Sequence, residues 1–438
     1  MEGLLPFCET DPIVISHSGP PEGISRMKLF YGWRIVIACG LINALMWGFL
    51  HQSFGAYFAM LSEERGWSKT ALSGAAAIQP LEGAILGPIL GWLMDRFGPK
   101  RLIRTGVILF GGGFMLLSRI ETLPQVYAVF LVIALGASLA GYMPMSVVLI
   151  YWFEKSRTRA LSVVSLGGTM GGILVPVLAW SMQAYGWRAT AFASGVIAIL
   201  LAWPLSGMIR NRPEDHGETV DGLPPAHARD GDAAATRSHL QGHTAREALR
   251  TGAFWLISLG HGFALLAVIA VNVHAINHMR ESLGYAIAEA AMYFAVMLAF
   301  QFLGTLLGIL IGDRYDKRHM AVACMLAHMV AVLLLAYATG PAMLLAFAVL
   351  QGTAWGLRGP MMAAMRADYF GRRAIGMIIG LSALIYVAGQ VGGPLLAGVL
   401  ADLTGNYRLA FTVIALLTGA ASLFFLCLQR HRPGAAGA

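Results

Sequence analysis

The stretch Gly91–Arg101, G-W-L-M-D-R-F-G-P-K-R, is a short charged loop between two long apolar segments. A connection this short makes the two segments antiparallel neighbours. Its basic residues, with Arg104 just beyond, stand where a membrane protein keeps positive charge on the cytoplasmic side. A plain positive-inside loop explains such charges in any protein with several spans. The glycines four positions before Asp95 and three positions after it make the pattern more specific.

The composition is that of a membrane protein with many spans. Of the 438 residues, 57% are hydrophobic and 12% are charged, and the mean hydropathy is +0.66. Soluble domains carry about 25% charged residues. The net charge of +8 is compatible with nucleic-acid binding, but the basic residues are placed as membrane topology requires, so we expect no nucleic-acid partner.

The sequence shows no motif for a cofactor or for enzymatic chemistry. Its four cysteines have neither metal nor disulfide spacing, and no G-x-x-x-x-G-K-[ST] nucleotide motif occurs. No constellation of catalytic side chains stands outside the apolar segments. We therefore expect no metal, no cofactor, no drive by ATP and no enzymatic activity.

Apolar runs long enough to cross a bilayer recur along the whole chain. A spanning helix needs about twenty predominantly apolar residues, and helices satisfy their backbone hydrogen bonds internally in lipid. The runs predict twelve spans, at 33–59, 70–94, 102–118, 125–150, 159–182, 188–209, 253–279, 286–311, 319–338, 341–365, 374–400 and 408–428. The predicted fold class is an all-α membrane protein.

The positions of Lys and Arg orient these spans. With the N-terminus inside, 24 of the 31 Lys and Arg residues lie on the inner side and 6 on the outer side. This split places both termini in the cytoplasm and supports the count of twelve. The inner count includes Arg366, just beyond the predicted end of the tenth span. Arg358 alone falls inside a span.

The chain divides into two halves that repeat each other. We expect an N-terminal cytoplasmic tail (1–27), a six-helix bundle (28–209), a flexible cytoplasmic linker (210–250), a second six-helix bundle (251–429) and a C-terminal cytoplasmic tail (430–438). The end of the linker, T-A-R-E-A-L-R, predicts a short amphipathic helix on the membrane surface. Landmarks recur at an offset of 218 residues: Asp95 and Asp313, Tyr151 and Tyr369, Pro176 and Pro394. Such a register indicates a duplicated six-helix unit.

The loop at 91–101 resembles the signature loop G-x-x-x-D-R-x-G-x-K/R-R of the major facilitator superfamily. The resemblance extends over essentially the whole chain and implies two pseudo-symmetric bundles that rock against each other around a central site. F-Y-G-W-R-I-V, Y-W-F-E-K-S-R-T-R-A-L-S and R-E-A-L-R-T-G-A-F-W-L resemble the bacterial monocarboxylate-transporter-like and oxalate/formate-antiporter-like branch. Members of that branch place a basic residue in helix 8, or in helices 1 and 11. This chain has none in helices 8 and 11 and none in helix 1 beyond Arg34 at its inner mouth, so the substrate site cannot be transferred from the family.

Arg358, in G-T-A-W-G-L-R-G-P, is the first candidate for anion binding. A helix-centre Arg costs about 3 kcal/mol on the insertion scale, so something must compensate it. A guanidinium facing the cavity could clamp a carboxylate by paired hydrogen bonds. The alternatives are an ion pair with an acid of the other half, or extension towards the inner surface.

Glu82 is the candidate proton carrier because burial raises the proton affinity of a carboxyl group. The alternatives are a protonated Glu that bonds two helices, or a pair with Arg358. His51 is a second candidate for proton coupling, although a packed histidine is the plainer interpretation. Further substrate-binding candidates are uncharged or weakly basic side chains within spans, namely Asn43, Tyr142, His274, Tyr386 and Gln390. Each of them could instead form a hydrogen bond between two helices.

The two repeated loops predict a gate. By resemblance, Asp95 meets the start of helix 11 near Arg372–Gly376, where a carboxylate is attracted to the positive end of the helix dipole. The second loop, D-R-Y-D-K-R, has Asp316 in place of Gly98, so we expect the contact to be stronger at the first loop. The gating candidates are Gly91, Asp95, Arg96, Gly98, Lys100, Arg101, Asp313 and Arg314.

The sequence therefore predicts a secondary transporter of the cytoplasmic membrane that acts as a monomer. The predicted activity is symport of a small organic anion, such as a monocarboxylate, with a proton. One alternative is an efflux or exchange carrier for organic anions or drugs. Another is a transporter-like sensor that binds its ligand without moving it.

Overall fold

The computed structural model describes residues 30–53, 57, 60–61, 64–65, 67, 69–222 and 242–429, with side chains except at 52, 69–81 and 84. Both predicted tails, 1–27 and 430–438, lie outside the described residues. Residues 223–241 of the predicted linker, and residues 54–56, 58 and 59 of the first predicted span, also lie outside the described residues.

The N-terminal half contains six helical spans. They are α1 (Tyr31–Met46, continued by a π-helical turn Trp47–Gln52), α2 (Lys69–Phe97), α3 (Pro99–Leu117), α4 (Leu123–Ala140 and, after a break at Gly141, Tyr142–Trp152), α5 (Arg157–Met170, continued through Gly171–Ile173 to 185) and α6 (187–208). Gly186, at φ +83°, makes the turn between α5 and α6. A left-handed residue without strain is what glycine supplies there.

The C-terminal half repeats the pattern after a short linker helix, Ala245–Arg250. Its spans are α7 (Gly252–Glu281), α8 (Ile287–Ile311), α9 (Lys317–Ala336), α10 (Pro341–Phe370), α11 (Ile375–Thr404) and α12 (Arg408–Ala420, continued by Ser422–Leu426). The predicted helix at the end of the linker is thus confirmed as a helix.

The helices have the length and composition of membrane spans. Among the described residues, 8 stretches are long and apolar enough to cross a bilayer, and one of them, Arg157–Met208, contains both α5 and α6. The remaining spans, α2, α3 and α10, are also long but less apolar. The predicted all-α fold with twelve spans is confirmed.

Close helix contacts through glycine hold each half together. In the C-terminal half α8 packs on α10, and a Cβ added at Gly356 would lie 2.0 Å from the carbonyl oxygen of Gln301. On the other side α7 packs on α11, where a Cβ at Gly389 would lie 2.0 Å from the carbonyl oxygen of Gly262. Small residues let the backbones approach this closely. The α8–α10 contact fixes the position of Arg358, two residues after Gly356.

The structure corrects two expectations about boundaries. Helix α10 continues to Phe370 instead of ending near 365, so Arg366 lies within a helix and not in a loop. The predicted flexible linker is packed at both described ends. Trp152 Nε1 donates to the carbonyl oxygen of Arg210 at 2.9 Å. At the other end, the backbone N–H of His243 donates to the carbonyl oxygen of Phe370 at 2.8 Å.

A matched pair of glycine substitutions in α10 tests the α8–α10 contact. Gly356→Ala should lower the free energy of unfolding by about 1–3 kcal/mol, because its Cβ meets the backbone of α8. Gly359→Ala should leave the free energy of unfolding unchanged or raise it by up to about 1 kcal/mol. A Cβ added at Gly359 would have no atom of another part of the protein within 4 Å, and alanine favours the helix. Thermal unfolding of purified protein in detergent measures both. Equal midpoints for the two variants would contradict the packing described.

Candidate functional site

Arg358 lies in the interior of the C-terminal half, near the middle of α10. Its side chain is 1% exposed, and its Nε and Nη1 atoms are buried without a hydrogen-bond partner. The Cys324 thiol of α9 and the guanidinium of Arg366 are its electrostatic neighbours. Glu82 forms no ion pair with it, and the side chain does not reach the surface. Within the part of the chain that the structure describes, neither structural alternative for Arg358 is present.

The region beside Arg358 is rich in unused donors. Across α9 and α10, His328 Nδ1 lies 2.8 Å from Gln351 Oε1. His328 Nε2 and Gln351 Nε2 are buried without a partner. Gln351 precedes Arg358 by seven residues, so both stand on one face of α10. The buried N–H groups of Arg358 and Gln351 therefore have no acceptor among the described residues, whereas His328 Nε2, opposite the donating Nδ1, is itself an acceptor.

Arg366 is a second buried guanidinium, two turns after Arg358, that the sequence analysis assigns to a loop. It is 3% exposed. Its Nε donates to Ser382 Oγ at 2.9 Å, its Nη1 donates to the carbonyl oxygen of Met362 at 3.1 Å, and its Nη2 donates to His261 Nδ1 at 2.8 Å. All three partners are neutral groups, because a guanidinium can only donate and His261 therefore accepts.

Aromatic and hydroxyl groups of α7 and α11 complete the surroundings of Arg366. The Tyr386 ring centroid lies 4.7 Å from that of His261 and 5.8 Å from Arg366 Cζ. Ser258 and Ser382 hydroxyls are 2.7 Å apart. Among the described residues, the ion pairs of the protein include neither Arg358 nor Arg366. Two positive charges are thus buried without a paired carboxylate.

Glu82 lies in the N-terminal half, on α2. It is 6% exposed, its Oε2 accepts a hydrogen bond from Ser138 Oγ of α4 at 2.6 Å, and its Oε1 is buried without a partner. An unpartnered buried carboxylate oxygen is costly unless the group carries a proton. One turn beyond Ser138, after the break in α4, the Tyr142 hydroxyl is also buried without a partner.

The other sequence candidates are mostly engaged between helices. Asn43 Nδ2 donates to the carbonyl oxygen of Val164 at 2.9 Å, joining α1 to α5, while its Oδ1 has no partner. His274 Nε2 lies 3.1 Å from the carbonyl oxygen of Pro394, between α7 and α11. Gln390 is half-buried one turn after Tyr386. The His51 ring stacks on Trp47 within α1 and its π-helical turn, with centroids 4.3 Å apart.

The loop Gly91–Arg101 joins the two halves. Asp95 Oδ1 accepts from the backbone N–H of Gly376 at 3.1 Å, and its Oδ2 accepts from that of Met377 at 2.9 Å. These N–H groups lie in the first turn of α11, where a helix has unused donors and partial positive charge. A Cβ at Gly91 would lie 2.5 Å from the carbonyl oxygen of Gly376, so that glycine lets α2 and α11 touch. The contact expected from the family resemblance is present.

The second loop makes the same contact, which corrects the expected asymmetry. Asp313 accepts from the backbone N–H groups of Thr158 and Arg159, each at 2.8 Å, in the first turn of α5. Thr158 and Arg159 precede Gly376 and Met377 by 218 residues, the same offset as between the two aspartates. We call these two contacts the paired clasp. The loss of Gly98 in the second copy left the carboxylate contact intact.

The two repeated loops differ at the residue that precedes the third helix of each half. Gly98, at φ +79°, precedes α3, whereas Asp316, at φ −62°, caps α9 by accepting from the backbone N–H of Arg318 at 2.9 Å. The Arg318 guanidinium lowers the pKa of the Asp316 carboxyl to about 2. The second copy has thus exchanged a glycine turn for an aspartate cap.

Further ion pairs join the halves at the same end. Asp368, at the end of α10, pairs with Arg157 of α5 and with Lys317 Nζ at 2.9 Å. Arg372 Nη2 lies 3.2 Å from Glu154 Oε2, and these two residues are also 218 apart. The end that carries these contacts and the paired clasp is called the basic end below.

The remaining gating candidates surround the clasp without joining the halves. Arg96 is exposed and lies over the Trp92 ring at 5.1 Å. The backbone N–H of Lys100 donates to Asn211 Oδ1 at 2.9 Å, which holds the linker. Arg101 and Arg314 are exposed. Arg96, Gly98 and Arg101 help to line a cavity of about 320 Å³ beside Asp95.

The chain belongs to the Major Facilitator Superfamily. The model of that family matches residues 36–274 and 257–438, which together cover nearly the whole chain. The repeated six-helix halves and the glycine-rich α2–α11 contact are in keeping with this membership. The protein is therefore a multi-pass membrane transporter.

Curated relatives support the monocarboxylate-transporter-like branch that the sequence resembles. The chain is 24% identical to monocarboxylate transporter 13 of Bos taurus over 412 residues, 93% of this chain and 90% of the relative. It is 25% identical to monocarboxylate transporter 3 of Rattus norvegicus over 405 residues, 90% and 78% of the two chains. The relatives are transporters and not enzymes.

Solved structures share the fold. The Escherichia coli fucose:proton symporter FucP superposes with a TM-score of 0.67 at 16% identity, covering 90% of this chain and 98% of that one. The human organic anion transporter MFSD10 gives a TM-score of 0.66 at 14% identity, with coverages of 90% and 99%. At these identities the likeness shows the fold alone.

Neutralising either aspartate of the paired clasp should open the basic end. Asp95→Asn and Asp313→Asn each remove a charge at a helix N-terminus, worth about 0.3–1 kcal/mol and up to about 2 kcal/mol in partly buried sites. The open population should therefore rise several-fold, and similarly in both variants. Spin labels at the exposed Thr105 and Arg250, one in each half, report the distance by pulsed electron resonance.

The control for this prediction is Asp402→Asn, an exposed carboxylate near the far end of α11. It should leave the distance distribution unchanged. An effect of Asp95→Asn without a matching effect of Asp313→Asn would restore the asymmetric gate that the sequence suggested.

Proposed function

We propose that this transporter carries a small organic anion, of the monocarboxylate kind, together with a proton. The observation that supports the proposal most strongly is the pair of buried guanidinium groups in α10. Arg358 has two nitrogens without a partner, and Arg366 has only neutral partners. Charge in a span is costly unless it is compensated, and intramembrane charges commonly mark substrate pathways. A carboxylate supplies both the missing charge and the missing acceptors.

Arg358 is the proposed primary contact of the anion. Its guanidinium presents a planar set of donors that matches a carboxylate, and the neighbouring Gln351 offers a further unpartnered nitrogen donor. The printed names of the relatives, monocarboxylate transporters 13 and 3, agree with a substrate of this class. Substrate groups beyond the carboxylate would meet Tyr386 and Gln390 of α11 and, across the halves, Tyr142 of α4.

Glu82 is the proposed proton carrier of the N-terminal half. Its buried, unpartnered Oε1 favours the protonated form in the conformation described. Opening towards the other side of the membrane would hydrate the carboxyl and release the proton. The Ser138 hydroxyl would then continue to hold the ionised group.

The paired clasp supports transport by alternating access. With the basic end in the cytoplasm, where its Lys and Arg content places it, the described conformation is closed on the cytoplasmic side. Two carboxylates, two helix N-termini and the Asp368 ion pairs must separate before the protein opens there. We place the protein in the cytoplasmic membrane with both termini inside. One chain supplies both halves of the site, so we propose that the monomer is the transporting unit.

Substitution of Arg358 tests the anion site. A thermal-shift screen of acetate, lactate, pyruvate and benzoate selects the anion that stabilises the purified protein most. Arg358→Ala should weaken binding of that anion by at least about 30-fold, because removing one partner of a buried charge pair costs about 2 kcal/mol or more. Arg358→Lys should recover part of the loss, because it keeps the charge and loses the planar donor set.

Arg280→Ala is the matched control, because Arg280 is exposed and pairs only with its neighbour Glu281 in the described contacts. It should bind the anion as the wild type does. Unchanged binding in both Arg358 variants would refute the proposed site. No stabilisation of the wild type by any of the four anions would refute the monocarboxylate proposal.

Substitution of Glu82 tests proton coupling. In proteoliposomes, an inward proton gradient should drive accumulation of the selected anion by the wild type. Glu82→Gln can still bond Ser138 but cannot release a proton, so it should lose accumulation and keep anion exchange. The exposed Glu289→Gln should behave as the wild type. Wild-type uptake that ignores the gradient, with exchange intact, would favour the efflux or exchange carrier instead.

A further inference from the structure

The His261–Arg366 pair is the part of the buried cluster that the proposed function leaves unused. His261 Nδ1 accepts from Arg366 Nη2 at 2.8 Å. A histidine that accepts at Nδ1 carries its proton at Nε2 and is neutral. If His261 bound a proton at Nδ1, both ring nitrogens would donate, and the bond to Arg366 would be lost. The presence of this bond and a proton on Nδ1 therefore exclude each other.

The charges around His261 determine when it can accept that proton. The charged groups that act on it are Arg366 and Arg358, both of α10. From α11, Tyr386 lies beside the His261 ring and Ser382 bonds Arg366, and both are uncharged. Among the described residues no carboxylate pairs with the cluster. A third positive charge beside two guanidinium groups is unfavourable. A bound anion would offset that charge.

The exposure of the groups gives protons a route. Arg366 is 3% exposed, whereas His261 and Tyr386 are half-buried residues. His261 is thus the more exposed residue of the His261–Arg366 pair. An anion that takes the place of His261 as the acceptor of Arg366 Nη2 frees Nδ1.

We propose that His261 takes up the proton that enters with the anion. A carboxylate replaces His261 as acceptor at Arg366 Nη2, and the released imidazole binds one proton at Nδ1 from solvent. The loaded site then gains one negative and one positive charge together. This inference rests on the proposed anion transport and adds a proton site in the C-terminal half. Glu82, proposed above to be protonated in the described conformation, would act in the later release step.

Proton uptake on anion binding tests the proposal. Purified protein in weakly buffered detergent solution at pH 7 is mixed with the anion chosen by the thermal-shift screen, and a pH indicator reports protons. The wild type should take up about one proton per bound anion, a stoichiometry that Glu82→Gln should keep. His261→Gln should bind the anion and take up none, because its amide oxygen can accept from Arg366 but does not titrate.

Two further variants keep the test sound. His278→Gln, on the same helix with its Nε2 bonded to the Leu335 carbonyl oxygen, should take up protons as the wild type does. If His261→Gln does not fold, His261→Asn replaces it. Loss of uptake in Glu82→Gln with retention in the His261 variant would overturn the inference while leaving symport intact.

An arm without ligand separates this inference from the proposed function. Nitrogen NMR of histidine-labelled protein, with His261→Gln identifying the signal, should show neutral His261 protonated at Nε2 at pH 6. Arg366→Gln, which removes the nearest positive charge, should shift the signal towards imidazolium at that pH. Imidazolium in the empty wild type would overturn the inference, whatever anion is transported. Failure of all anions to bind would refute the proposed function alone.

Discussion

The burial of two guanidinium charges without a paired carboxylate is the constraint around which the C-terminal half is built. Arg366 meets this constraint with three neutral acceptors from α7, α10 and α11, whereas Arg358 leaves two nitrogens unpartnered. Fully partnered cations would make a structural core. The contrast between the two residues suggests one group that is held in place and one that is available.

The packing of the helices makes this arrangement possible. Glycines of α10 press against α8, and glycines of α11 press against α7, so the backbones have little freedom near the cluster. Arg358 follows Gly356 by two residues and cannot move far from the interior. Rigid elements that hold a site in this way are what precise binding requires.

The paired clasp joins the two halves at the basic end. Each half contributes one aspartate and one helix N-terminus, at an offset of 218 residues in both cases. The two halves therefore hold the basic end closed with equivalent hydrogen bonds. Any opening of the basic end separates both bonds together, which suits a rocking motion of two similar bodies.

The sequence predicted the spans and the repeat because these depend on hydropathy, charge and spacing, whereas the contact of Asp95 was predicted from the family resemblance. It misplaced Arg366 because counting basic residues assigns them to loops, and its partner His261 is 105 residues away. An unequal gate was expected because the side chains of the two loops differ, with Asp316 in place of Gly98. The clasp uses backbone N–H groups, which any residue except proline supplies. The sequence does not show which face of α10 carries Arg358 into the interior, because the interior face is set by the helices packed around α10.

The most direct test of the buried anion site is to locate a bound anion. Crystals grown with 3-bromopropionate, a small carboxylate with an anomalous scatterer, would show the bromine position. The account predicts an anomalous peak within about 6 Å of the Arg358 guanidinium, where the carboxylate can make paired hydrogen bonds. A peak confined to the N-terminal half, with Arg358 Nε and Nη1 still unpartnered, would contradict it.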